Sequence, residues 1–197
     1  MTDKKLQLLR EHTDLVVAIA DDGAIGADGA LLVSVREDLQ RFRRLTQGDT
    51  VVYGRKTLST FPGGKPLRDR RNLILSRTLD EHQFAAMAET RVFDDTDRLQ
   101  EYLLGELVES EGGNIHGPRR RIHIIGGADV YRQLLPWAGA LHVTELRIAR
   151  KDADVWLGAD LYDQFHKVWT GPWKRAGRKK PFAFRYVYYE RKEDQRS

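Results

Sequence analysis

At 197 residues the chain is long enough for one domain with a sizeable core. Its 41% apolar and 31% charged residues are ordinary for a soluble globular fold; no apolar run approaches the roughly 20 residues of a membrane span, and residues 1–14 are too charged for a secretory signal. Absence of cysteine excludes disulfides, thiol nucleophiles and thiolate metal sites, which suits a cytoplasmic enzyme, and 33 basic against 29 acidic residues leave a mild +4 that suits anionic small ligands at least as well as nucleic acid.

In chain order, "LVVAIA" (15–20) is a continuous apolar run and predicts a strand buried on both faces. "DDGAIGADGA" follows as a glycine-rich loop. Ser34 and Glu37 have the spacing of a capping box, predicting a helix start, and Val35, Leu39, Phe42 and Leu45 make its apolar face, with Gly48 ending it. "TVVY" (50–53) is a second strand that runs into "GRKT", the opening of a short helix; "NLILS" (72–76) is a third. Val92-Phe93 suggests a brief strand. "TDRLQEYLLGELVES" reads as an amphipathic helix with Thr96 as cap, and "EGGNIHGPRRR" as a loop that includes an insertion at 112–118.

"RIHIIGGADVYRQLLP" predicts a strand at 122–125, two glycines, then a helix with Val130, Tyr131, Leu134 and Leu135 on one face, stopped near Pro136. "ALHVTEL" (140–146) is another strand. The tail "FAFRYVYYER" places Phe182, Phe184, Tyr186 and Tyr188 on one side of an antiparallel or edge strand, whose hairpin partner lies within "HKVWTGPWKRA". Strands alternating with helices predict an α/β fold of three layers, α/β/α, with a mainly parallel mixed sheet of about eight strands and a C-terminal antiparallel hairpin. With no internal repeat or linker, residues 15–197 are expected to form a single domain after an N-terminal extension at 1–14.

Ligands of open α/β sheets collect beyond the carboxyl ends of the strands. Three such ends carry suggestive residues: Gly54 with Arg55, Lys56 and Thr57; Ser76 with Arg77; and Gly126-Gly127, where no side chain blocks the approach of a phosphate. Each alone reads more readily as a tight turn flanked by solvated side chains; together they favour a nucleotide. The adjacent glycines do not match the spaced G-x-G-x-x-G of a Rossmann dehydrogenase. Asp38 stands in the first turn of its helix, one turn before Phe42. The helix dipole alone would account for an aspartate there, yet a carboxylate between polar and apolar faces is also placed to be buried and have its pKa raised. Six histidines show no metal-ligand spacing, and the aromatics of the tail alternate as packed strand residues do rather than as a nucleic-acid platform.

Taken in order, "VVAIADDGAIG", "EDLQRFRRLT", "VVYGRKTLSTFPGGKPLRDRRNLILSR", "IHIIGGADVYRQLLP" and "LHVTEL" resemble dihydrofolate reductase over nearly the whole chain. The resemblance implies hydride transfer from NADPH to 7,8-dihydrofolate, with a proton added at N5 of the pterin. Asp38 matches the acidic pocket residue that holds the pterin and favours its protonation, and Thr144 the hydroxyl that supports that carboxylate. Val17, Ala18, Leu39, Phe42, Phe61, Leu67 and Ile125 match the apolar walls of the substrate pocket, and Arg70 the clamp on the substrate's glutamate carboxylate. Ala18, Ile25 and Gly26 match positions beside the nicotinamide, which Tyr131 would border as well as the substrate. Gly54, Arg55, Lys56, Thr57, Leu75, Ser76 and Arg77 match the phosphate and adenosine contacts, where Arg55 and Arg77 would favour the 2′-phosphate of NADPH. Ile125, Gly126, Gly127, Ala128, Asp129 and Val130 match the strand-to-helix turn against the cofactor, whose Gly-Gly peptide is cis in the family.

Implied ligands are therefore dihydrofolate, NADPH and antifolate inhibitors, bound by a cytoplasmic monomer with no metal, nucleic acid or membrane. The sequence departs from the family where Pro-Trp usually precedes the acidic residue: Leu32-Val33 stand there. Two rival expectations remain, a riboflavin-pathway pyrimidine reductase of the same fold and a non-catalytic nucleotide-binding module.

Overall fold

The computed structural model describes residues 3–87, 89–111, 120–148, 152–177 and 181–193; the insertion expected at 112–118 lies outside them. Helix α1 (Asp3–His12) leads into β1 (Thr13–Ala20), followed by β2 (Ala24–Ala27), β3 (Ala30–Leu31) and α2 (Arg36–Thr46). Next come β4 (Thr50–Gly54), α3 (Arg55–Thr60), β5 (Arg71–Leu75), β6 (Thr90–Phe93) and α4 (Thr96–Glu111). The chain continues with β7 (Ile122–Gly126), α5 (Ala128–Leu134), β8 (Ala140–Arg147) and β9 (Val155–Trp156), and ends with β10 (Phe165–Thr170), β11 (Lys174–Ala176) and β12 (Phe182–Arg191).

The main sheet has the order β10-β12-β8-β1-β7-β4-β5-β6, with β11 also paired to β12. Its centre is parallel, and β12 runs antiparallel to β8, β10 and β11. This is the three-layer arrangement expected from the alternation of strands and helices. Alternate residues of each central strand point to opposite faces. Leu15, Val17, Val52, Leu73, Ile122 and Ile124 enter a cluster with Leu9 of α1, Leu99 and Leu103 of α4 and Leu134 of α5. Val51, Tyr53, Ile74 and Ile125 enter another, with Leu58 of α3 and Phe42 of α2. Both faces being covered explains the continuous apolar runs. No helix among the described residues is long and apolar enough to cross a membrane.

Several local expectations are corrected. Ser34 does not cap α2: the cap is Val35, whose carbonyl accepts the first helical bond from Leu39 and whose side chain is buried. Burial of Leu32 and Val35 in one cluster fixes how the chain enters the helix, and Ser34 is left exposed. In α4 the capping side chain is Asp95, which accepts from the Arg98 N–H at 2.8 Å, rather than Thr96. The tail strand is antiparallel and interior rather than an edge: Phe182, Phe184 and Tyr186 share one cluster as expected, while Val187 and Tyr189 are buried in another on the opposite face. The loop read between 21 and 30 contains β2 and β3, which join β9 in a small separate sheet.

Beneath the sheet's start, Arg121 grips Asp14 with two hydrogen bonds, Nε to Oδ2 at 2.8 Å and Nη2 to Oδ1 at 2.6 Å. Burial alone would push the Asp14 carboxyl up, but the His142 imidazole and the Arg121 guanidinium outweigh it and hold the pKa at about 2. A carboxylate depressed from an ordinary 3.8 contributes stability above that ordinary value and loses it as pH falls toward the depressed one. Denaturant unfolding should therefore show Asp14→Asn less stable than native by about 2 kcal/mol at pH 7, with the difference closing between pH 4 and 2. A difference independent of pH would remove the ion pair from the explanation.

Candidate active site

Strands β1 and β7 are hydrogen-bonded only along Thr13–Leu15 and Ile122–Ile124. Beyond that they part, and a cleft of about 1040 Å³ opens at their carboxyl ends. One wall is Val17, Ala18, Ile25 and Gly26, and another is Ile125, Gly126 and Gly127. Gly54, Arg55, Lys56 and Thr57 from the end of β4 and Leu75, Ser76 and Arg77 from the end of β5 continue it, and Ala128, Asp129, Val130 and Tyr131 of α5 complete it. All the residues expected on the cofactor side thus surround one space. The apolar end is flanked by Val17, Ala18, Ile25 and Ile125, and the far end by hydroxyls and the cations Arg55, Lys56 and Arg77. That donor set fits a long ligand with a flat, weakly polar ring at one end and anionic groups at the other.

Gly126 could not be another residue here. Its φ is 109°, a region L side chains rarely adopt, and a Cβ would stand 3.0 Å from the Tyr131 ring. The Gly126-Gly127 peptide is cis. Tyr131 is buried against the glycine and donates its hydroxyl to the Val16 carbonyl at 2.7 Å, joining α5 to β1 across the gap.

Asp38 is not among the residues that line this cleft, and is linked to it through Thr144. Thr144 is paired in register with Ala18, which lines the cleft, and donates its hydroxyl to Asp38 Oδ1 at 2.6 Å. Burial pushes the Asp38 carboxyl up; the Thr144 hydrogen bond and the nearby Arg41 pull the other way, and Glu37 adds to the rise. Beside it, Phe42, Phe61 and Leu67 pack partly buried onto the cluster that contains Ile125, and Phe61 meets Tyr53 edge-on at 5.0 Å. Leu39 was expected on the buried face of α2 but is 43% exposed.

Arg70 is held in place rather than solvated. Its Nε donates to Thr46 Oγ1 at 2.8 Å and its Nη1 to the Arg68 carbonyl at 2.7 Å, while Thr46 itself donates to the Phe42 carbonyl. Its guanidinium carbon sits 5.9 Å from the Phe42 ring. Asn72 was read only as a strand residue, yet it organises this side. Fully buried, its amide bonds both N–H and C=O of Leu67, the Arg70 carbonyl and the Tyr53 hydroxyl. An asparagine opening an otherwise apolar buried run was the available signal.

The sequence reading also missed part of the cleft rim. Leu31 of β3 and Asp154 and Val155 near β9 line it, as do Thr78 and residues Asp94, Asp95 and Thr96. Asp154 accepts from the Asp28 N–H at 3.1 Å and so ties the β2–β3 turn to β9. At the family's usual Pro-Trp position, Leu32 is buried and Val33 packs beside it in an apolar cluster.

A family model described as dihydrofolate reductase matches residues 12–191. The chain belongs to the dihydrofolate reductase family. It is 38% identical to the dihydrofolate reductase of Mycobacterium leprae over 163 residues, 81% of this chain and 87% of that one. It is 31% identical to dihydrofolate reductase HdrB of Haloferax volcanii over 182 residues, 91% of this chain and 83% of that one. Its fold is similar to a dihydrofolate reductase from Enterococcus faecalis complexed with NADP(H) and RAB-propyl, with a TM-score of 0.72 at 22% identity, covering 93% of this chain and 98% of that one.

Proposed function

We infer that this dihydrofolate reductase reduces 7,8-dihydrofolate to 5,6,7,8-tetrahydrofolate, with Asp38 as the residue that governs protonation of the substrate. The single observation behind that role is the sequestered Asp38–Thr144 pair, in register with the cleft-lining Ala18. NADPH supplies the hydride when bound. Arg55, Lys56, Thr57, Ser76 and Arg77 would hold its phosphates and adenosine, and Val17, Ala18, Ile25 and Tyr131 would keep water from the reacting end.

Asp38 would accept hydrogen bonds from the pterin's amino group and ring nitrogen and favour a proton at N5. A negative carboxylate facing the ring raises the ring's affinity for a proton, and a carboxyl group with a raised pKa is itself closer to donating near neutral pH. Thr144 fixes the carboxylate's orientation by donating to Oδ1. Phe42, Phe61, Leu67, Leu39 and Ile125 would pack the rings, and Arg70 would pair with the glutamate α-carboxylate. The protein would work as a cytoplasmic monomer on small-molecule ligands, antifolates among them.

NADPH oxidation followed by absorbance tests the reading. Turnover is expected with dihydrofolate and not with the riboflavin-pathway aminopyrimidine. Turnover with the pyrimidine alone would reassign the pocket, and cofactor binding with no turnover on either would make the protein a binding module.

A further inference from the structure

The Asp38 side of the protein carries a cation that the reaction described above does not use. Arg41, one turn along α2 from Asp38, is half-buried. Its guanidinium carbon lies 4.5 Å from the centre of the Tyr186 ring, and its Nη2 points at His142 Nδ1 at 3.5 Å. His142 is anchored in turn: its Nε2 is 3.7 Å from the buried Asp14 carboxylate, and its ring meets Tyr188 at a tilt, 5.1 Å between centroids. A guanidinium held over a β12 ring and against a β8 imidazole cannot swing freely into solvent, so its charge stays one helical turn from Asp38.

We propose that Arg41 is a positioning residue for the reaction: clamped between Tyr186 and His142, its guanidinium is a fixed positive charge that governs when Asp38 carries its proton. This rests on Asp38 being the carboxyl group of the reaction. Other charges face the pair. On α2 itself there are Glu37, which favours the protonated carboxyl, and Arg44, which opposes the charge on Arg41. From β8 come Thr144 and His142, from β12 the phenols of Tyr186 and Tyr188, and from β11 Lys174. Lys174 is paired with Glu37 and lies 5.2 Å from the Tyr186 ring, so the carboxylate that acts against Arg41 is partly offset by a cation of its own. Arg41 is thus the cation whose charge acts on Asp38 from its own helix, and Asp38 and Arg41 each feel the other's charge.

The sign is fixed by electrostatics. A positive neighbour favours the ionised carboxylate and disfavours a proton on the pterin that the carboxylate faces. Removing it moves both protonations to higher pH.

The test follows the Asp38 side-chain carboxyl by ¹³C NMR across pH, its signal assigned by its disappearance in Asp38→Asn. In Arg41→Met and Arg41→Gln, which keep the apolar stem, the titration midpoint should lie at higher pH than in the native protein; Arg41→Lys should return it toward native. Turnover with NADPH and dihydrofolate should show the same direction: the ratio of the rate at pH 9 to that at pH 6 rises roughly three- to tenfold in Arg41→Met, as loss of a nearby charge allows. An unmoved midpoint in both neutral variants, with turnover lost in Asp38→Asn, would overturn the role of Arg41 alone. Native turnover with dihydrofolate in Asp38→Asn would overturn the role given to Asp38, and the place of Arg41 in the reaction with it.

Discussion

Asp38→Asn is expected to lower turnover by roughly 10²–10⁴, the range that loss of a positioned acid–base group produces. Asparagine still offers an oxygen to the Thr144 hydroxyl, so the pocket should persist while the charge and the exchangeable proton disappear. The pH dependence carries a sign. Since burial raises the Asp38 pKa, native activity should fall as pH rises through that raised value, and the variant should lose this dependence. Stability runs the same way. A carboxyl whose folded pKa lies above its ordinary 3.8 costs nothing below that ordinary value and progressively destabilises the fold as pH rises toward the raised one. At neutral pH the variant should therefore be at least as resistant to denaturant as the native protein, which would separate lost chemistry from lost folding. Near-native turnover at neutral pH would take Asp38 out of the mechanism.

Arg70→Leu should raise the KM for dihydrofolate roughly 10- to 100-fold with much less change in kcat, as expected when a charge-assisted contact remote from the reacting atoms is removed. Two hydrogen bonds, to Thr46 and to the Arg68 carbonyl, hold the side chain already, so little conformational freedom would be lost when a carboxylate pairs with it. Burial and the neighbouring Arg43 both act against the positive form of Arg70, with Asp69 opposing them, which leaves the site short of negative charge. An anionic substrate group relieves that shortage. A substrate lacking the glutamate should show the same KM in both proteins. An unchanged KM for dihydrofolate itself would place the glutamate contact elsewhere.

How much of this was legible in the sequence depended on burial. Strands β1, β4, β5 and β7 were read to within two residues because each is covered on both faces and so is written as a largely apolar run. The lining of the cleft was equally readable, since its residues sit at strand exits in short contiguous stretches. The small sheet was not. β3 and β9 are two residues each, too short for any period to show; β3 pairs locally with β2, and β9 reaches β2 only because the chain returns from far along the sequence. Val35 replaced Ser34 as the cap of α2 for a similar reason: tertiary burial of Leu32 and Val35 outweighed a local capping pattern. The partners of Asn72 and Arg41 lie on other elements, Leu67 and Tyr53 for one, His142 and Tyr186 for the other, so the sequence could mark Asn72 only as an odd polar residue in an apolar run and did not mark Arg41.

A crystal structure with NADP⁺ and folate bound would test the central claim most directly. The account predicts the pteridine ring with its amino group and adjacent ring nitrogen within about 2.6–3.2 Å of the Asp38 carboxylate, and the nicotinamide between Ala18 and Tyr131. A pteridine seated away from Asp38, with that carboxylate bonded to Thr144 and making no contact with the ligand, would contradict it.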